Sequence, residues 1–409
     1  MIIDGAMGTA LQAFRLTEED FRGEEFKDHP KDLKGNSDLL TLTRPDVVMQ
    51  VHLSYLKAGA DIIETNTFTG TAIAQSDYGL EHLVYRMNKE SAQLARKAIE
   101  EVEKMKDDES VIHRPKRYVA GSVGPTNRTA SISSVEDPSA RGVTFDELVD
   151  SYTTQVKGLL DGGADLLLVE TIFDTLNAKA AICAILTLLE DDEEYKKYFP
   201  VPIFISGTII DLSGRTMSGQ TVDAFFSSVM HAKPFCIGLN CALGSKDMRG
   251  FIQQLSKIAN CYIHCYPNAG LPDGMGGFKE TKEEMASEIA SWVDESMVNL
   301  VGGCCGTCYD HIRELSLRYS PENISWQKLR KVQQYSKPEM QLSGLHNVNF
   351  SETLNFVNIG ERCNIAGSRA FANLIRQNKY DDALQVAIQQ ALQGAQLIDI
   401  NLDDGMIEP

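Results

Sequence analysis

Two cysteines stand side by side in VGGCCGT, residues 301–307, and a third closes GLNC, residues 238–241. Cys304 and Cys305 are badly placed to bridge each other. A disulfide wants its Cα atoms beyond about 4.4 Å, and neighbouring residues are only about 3.8 Å apart. They do suit a metal, because a glycine-rich loop can turn both sulfurs to one side. Cys241, Cys304 and Cys305 with a fourth position open would make a catalytic zinc site. A fourth protein ligand would make a closed structural one, and inert packing is the third reading. An open three-thiolate Zn²⁺ complex is net negative and a poor Lewis acid towards water. It suits an incoming thiol, whose pKa it lowers from about 8.5 so that the thiol is held as a reactive thiolate. The substrate of such a site is a thiol about to be alkylated.

The other cysteines compete for this role. Cys261 and Cys265 are four residues apart on a strand-like run, about 13 Å, which is too far to share one ion. Cys183 in a helical run and Cys236 in a strand read as core. Cys308 is a rival ligand, and Cys363 belongs to a later unit. His264, beside Cys265, reads as a satisfied core histidine. Nine cysteines, an odd number without small-scaffold spacing, argue against a disulfide framework.

The elements that must position these thiols follow a repeated phrase. LKAGADIIETN (56–66), LDGGADLLLVET (160–171) and LQGAQLIDIN (392–401) each join a helix-like stretch, a glycine and a short apolar run. Gly59, Gly163 and Gly394 fall where a helix needs a left-handed cap. The apolar runs read as strands buried on both faces of a parallel sheet. Strands are expected at 1–4, 61–66, 118–124, 165–171, 202–208, 235–241, 261–266 and 298–303. Helices are expected between them, including Pro45–Ala58 with Thr43 as a possible cap, Leu80–Val102, Thr144–Leu160 and Thr281–Ser296. Eight strand–helix units close most economically as an α/β (β/α)₈ barrel of the TIM type. An open doubly wound sheet is the alternative, but DGAMGT stands where it would want G-x-G-x-x-G. In the barrel, Cys241 ends the sixth strand and Cys304–Cys305 the eighth, on the rim where function gathers.

Residues 1–317 are therefore read as the barrel and 318–350 as a linker. Residues 351–409 hold the first βαβ unit of a second, incomplete barrel, with one helix from about Arg369 to Gln393, and the chain is read as truncated there. The net charge of −18 argues against a nucleic-acid partner and against an anionic membrane surface. Arg114, Lys116 and Arg117 form the nearest thing to a basic cluster and read as a solvated loop. No apolar run approaches the ~18 residues of a membrane helix and no secretory signal is visible, so the expected compartment is the cytoplasm. Oligomeric state is not legible.

DGAMGT, ETNTF, VGPTN, VETIFDT, GLNCALG, YPNAG and VGGCCGT resemble the homocysteine-binding module of homocysteine methyltransferases, over residues 1 to about 317. NFVNIGERCNIAGSR (355–369) and IDINLDDGM (398–406) resemble the opening of the methyltetrahydrofolate (pterin)-binding barrel of cobalamin-dependent methionine synthases. The resemblance implies that Zn²⁺ on Cys241, Cys304 and Cys305 activates homocysteine. Methionine is the implied product, methylcobalamin the donor, and 5-methyltetrahydrofolate its source of methyl groups. Asp4 and Glu170 match positions that hold the substrate ammonium. Thr171, Asn240 and Asn268 are candidates to orient its carboxylate or line the pocket. Glu361, Asn364, Gly367, Ser368 and Arg369 match the folate segment, whose domain is incomplete here. A stand-alone methyltransferase using S-methylmethionine or betaine, and a zinc-stabilised module without chemistry, are the competing readings.

Overall fold

The computed structural model describes residues 1–132, 140–272, 277–319, 329–332 and 339–403. The chain divides into two units, Met1–Lys337 with Leu342–Asn347, and Pro338–Gln341 with Val348–Pro409.

The first unit is built on seven parallel strands in sequential order: β1 (Ile62–Glu64), β2 (Tyr118–Val123), β3 (Leu166–Ile172), β4 (Ile203–Gly207), β5 (Cys236–Gly244), β6 (Tyr262–Asn268) and β7 (Leu300–Val301). The expected first strand shrinks to two residues. Ile2 bridges Val301 and Ile3 bridges Ile62, both parallel, so the N-terminal segment joins β7 to β1 and closes the ring. The architecture is the expected (β/α)₈ barrel. Side chains along a strand alternate between two cores. Leu166 and Leu168 pack inside with Ile3, Ile62, Phe204 and Tyr266, while Leu167 and Val169 join the layer beneath the helices.

The helices start and stop where side-chain chemistry directs. Thr144 and Thr281 cap Phe145–Asp161 and Lys282–Asp294, each in a reciprocal pair with the glutamate three residues on. Gly59, Gly163 and Gly394 take φ of +95°, +91° and +98°, as the repeated phrase predicts. The aspartate of that phrase has its own task. Asp61 accepts the Ile2 N–H at 2.7 Å and Asp165 accepts the Val119 N–H at 2.7 Å, so each pins the neighbouring strand at the barrel floor.

Four expectations need correcting. Thr43 does not cap helix Pro45–Lys57; it ends a preceding short helix, and its hydroxyl donates to the Leu39 carbonyl. Arg114 and Arg117 are not solvated. Their guanidinium groups donate to the Gly59 and Leu56 carbonyls at the end of that helix, and this draws both side chains into the floor. Within the expected linker, residues 329–332 and 339–347 are not all spacer. Arg330 is buried and donates to the Ala259 and Cys261 carbonyls at 2.6 and 2.7 Å, and the Leu345 carbonyl accepts the Thr221 N–H. In the second unit, β8 (Ile359–Asn364) and β9 (Leu397–Asn401) pair in parallel, but the connection holds two helices, Arg369–Arg376 and Tyr380–Leu392. The break falls at Asn378, with φ +56°, a left-handed conformation that asparagine tolerates.

No helix among the described residues is long and apolar enough to cross a membrane.

A three-thiol site in an acidic barrel mouth

The Cys241, Cys304 and Cys305 Sγ atoms lie within 4.8 Å of one another, and the Cys241–Cys305 separation is 3.8 Å. Four sulfurs at about 2.3 Å around one zinc stand about 3.8 Å apart, so the trio fits three corners of that tetrahedron. It is the only such group of three or more among the described residues. Cys308 lies outside it. This thiol is exposed at the N-terminus of helix Tyr309–Arg318, 3.3 Å from His311 Nδ1. Cys261 and Cys265 are buried, with the Cys265 thiol against Met248. His264 is also buried; its Nδ1 meets Cys236 Sγ, but its Nε2 has no partner, so it is only half satisfied.

Backbone geometry delivers the sulfurs. The pairing of β5 with β6 slips between Asn240 and Gly244, and Cys241 and Ala242 take φ of +62° and +61°. Such non-glycine residues cost of order 1–3 kcal/mol each, and they turn the end of β5 out of the ladder. The CC loop is tied to the first loop of the chain. Thr307 Oγ1 donates to the Cys304 carbonyl at 2.6 Å and accepts the Ala6 N–H at 3.2 Å, while the Gly303 N–H donates to the Asp4 carbonyl. A Cβ on Gly303 would lie 2.5 Å from Thr307 Oγ1, so only glycine allows this approach. Hydrogen bonds from the Cys241 and Cys304 thiols pull Cys305 well below its ordinary pKa, and sharing protons with Cys241 and Cys305 pushes Cys304 well up.

Beside the thiols opens a cavity of about 280 Å³, lined by Asp38, Glu64, Glu170, Thr171, Tyr266 and the three cysteines among others. Lysine and arginine are absent from its described lining. Glu170, at the end of β3, accepts the Ser122 hydroxyl at 2.5 Å and the Tyr266 hydroxyl at 3.3 Å. Burial outweighs those bonds and raises its pKa to about 7. Asp4 is buried, accepts the Glu64 N–H at 3.1 Å and leaves Oδ1 without a partner; burial holds its carboxyl well above the usual range. Burial, Glu170 and Asp4 do the same to Glu64. Asp38 accepts the Thr69 N–H and hydroxyl, and burial raises it to about 7.

The remaining predicted residues divide. Thr171 and Asn240 pair: the Asn240 amide donates to Thr171 Oγ1 at 2.8 Å, its oxygen accepts the Thr171 N–H, and the amide nitrogen lies 4.0 Å from Cys304 Sγ. Asn268 is buried at the end of β6 with Oδ1 unpartnered, but it does not line the cavity. In the second unit, Asn364 Oδ1 accepts the Ala366 and Gly367 N–H groups and Ser368 caps helix Arg369–Arg376, while Glu361 and Arg369 are exposed. Sequence reasoning missed Glu64, Asp38, Ser122 and Tyr266. A signal for Glu64 existed, because the repeated phrase ends in Glu-Thr both at 64–65 and at 170–171.

Fold and site together define a (β/α)₈ barrel with a three-thiol centre on its strand-end rim. A family model described as homocysteine S-methyltransferase matches residues 1–319, and the chain belongs to that family. A model described as pterin binding enzyme matches residues 360–408. Among solved structures, the metallated form of the homocysteine methyltransferase MmuM from Escherichia coli is 23% identical, with a TM-score of 0.59 over 78% of this chain and 96% of that one. Its apo form is 21% identical, with a TM-score of 0.54 over 78% and 95%. At these identities the likeness concerns the fold.

Proposed function

We propose that the chain transfers a methyl group to the thiol of homocysteine, giving methionine, and is a cobalamin-dependent methionine synthase in type. The observation that carries the reading is the convergence of three thiols beside a carboxylate-lined cavity. Cys241, Cys304 and Cys305 would hold Zn²⁺, which when bound supplies the positive charge that keeps a substrate sulfur ionised near neutral pH. The acidic wall, with Glu170 in it and Asp4 behind it, suits the substrate ammonium. Thr171 lines the cavity and could orient the substrate, while the buried Asn240 holds Thr171 from behind; Asn268 stands outside the lining. In the transfer, the thiol gives up its proton and its sulfur forms a bond to the methyl carbon. The donor leaves with the electron pair of the broken bond. The pterin-binding match beside this barrel favours methylcobalamin as donor, recharged from 5-methyltetrahydrofolate. Residues 351–409 would be the start of that folate module, with Glu361, Asn364, Gly367, Ser368 and Arg369 in its binding segment, and 1–317 the homocysteine module, acting in the cytoplasm.

The test is a methyl-transfer assay on zinc-loaded protein with methylcobalamin and S-methylmethionine as rival donors. Methionine from methylcobalamin alone is the expected result. Methionine from S-methylmethionine alone would favour the stand-alone methyltransferase instead. Cys304→Ser should lose both zinc and transfer while its circular dichroism stays that of a barrel; retained zinc and activity would sink the ligand assignment.

A further inference from the structure

Asp4 stands behind the cavity wall rather than in it. It is not a lining residue, and one of its oxygens is spent on the Glu64 N–H. Glu64 and Glu170 do line the cavity. Glu170 has each oxygen engaged by a hydroxyl. Among the described residues, no donor reaches the Glu64 carboxylate, although its own N–H is held by Asp4. Three carboxyl groups thus share a buried space without a basic side chain in the described lining. A ligand that brings a positive charge lets these buried carboxyls ionise, so the wall favours a cationic group. A carboxylate with free acceptor sites and its backbone fixed from behind is the group prepared to receive it.

We propose that Glu64 is a specificity-determining residue that contacts the ligand's primary ammonium together with Glu170, and that Asp4 is a positioning residue acting through Glu64. This rests on the reading of the substrate as homocysteine, and it defines the ligand class as a thiol that carries a free α-ammonium. A thiol lacking that group leaves the buried carboxylates unpaired, which is how a polar site rejects an analogue.

The test titrates the zinc-loaded full chain by calorimetry with homocysteine and with 4-sulfanylbutanoate, which lacks the ammonium. Wild type should prefer homocysteine. Glu64→Gln keeps the side-chain shape. It should weaken homocysteine roughly ten- to a hundredfold and the des-amino thiol less than about twofold, so the preference collapses. Glu64→Asp should keep part of the preference, and it carries the test if the glutamine variant does not fold. Zinc stoichiometry and thermal midpoint verify folding. Asp4→Asn should lose less than Glu64→Gln. An unchanged preference in folded, zinc-replete Glu64→Gln overturns the proposal. A larger loss in Asp4→Asn also overturns it and returns the contact to Asp4. Wild type that binds both thiols equally removes the ammonium role alone. Wild type that binds neither defeats the homocysteine reading, and the role of Glu64 falls with it.

Discussion

A single carboxylate shows how the site is held in tension. Asp38 is buried beside Thr69, and its folded pKa of about 7 stands above the ordinary aspartate value. The unfolded chain ionises Asp38 near pH 3.8. Between that pH and about 7 the folded chain keeps the proton while the unfolded one loses it. Stability contributed by this group is therefore present at low pH and is lost as pH rises through that window. Asp38→Asn should abolish the loss, because an amide oxygen can still accept both Thr69 bonds. Thermal melts of ligand-free protein should show the variant close to wild type at pH 4 and more stable at pH 8, by roughly 1–4 kcal/mol. Equal pH slopes in the two proteins would remove Asp38 from the list of strained carboxyls. The same logic explains the wall as a whole, since acids that are costly when ionised alone become favourable when a cation binds between them.

At the scale of elements, the site depends on two loops locked together. The turn at the end of β5 spends left-handed backbone on Cys241 and Ala242. The CC loop spends a glycine on its approach to Thr307. Gly303→Ala should force Thr307 away from the Cys304 carbonyl and the Ala6 N–H together. Overpacking of this kind costs about 1–3 kcal/mol, or several degrees in thermal midpoint. Zinc affinity should fall at least about tenfold, read by competition with a chromogenic chelator. Unaltered zinc affinity in a destabilised variant would show that the loop serves the fold and not the metal. Helix caps behave differently, because Thr144 and Thr281 act within four residues and would do the same in another fold.

The whole molecule joins two units with separate cores. The barrel has its inner and outer layers. The second unit has a small cluster around Cys363, Ile365 and Phe371. Phe356, Tyr380, Leu392 and Ile400 remain 62–82% exposed, and the two-stranded sheet leaves strand edges unpaired. Exposed apolar surface and open edges promote association. A chain ending at residue 347 should keep the barrel's thermal midpoint within about 2 °C and self-associate less than the full chain, by light scattering. A drop of many degrees would mean that the barrel draws stability from residues 348–409.

What the sequence determined by itself is what depends on local rules. The repeated helix–glycine–strand phrase specifies the barrel, because chain direction and period carry over from one unit to the next. The glycine caps and the rim position of Cys241, Cys304 and Cys305 follow from the same count. Tertiary structure alone decided which groups meet across the mouth. Sequence could place Asp4, Glu64 and Glu170 at strand ends, but not put Asp4 behind Glu64, since that order depends on where Ile2 and Ile3 close the ring. Nor could it bury Arg114, Arg117 and Arg330, whose charges look solvated until a helix end or a strand start offers its carbonyls. Local pattern fixes the elements. The environment of a charged side chain is set by partners that are distant in the chain, and only the closed barrel brings them within reach.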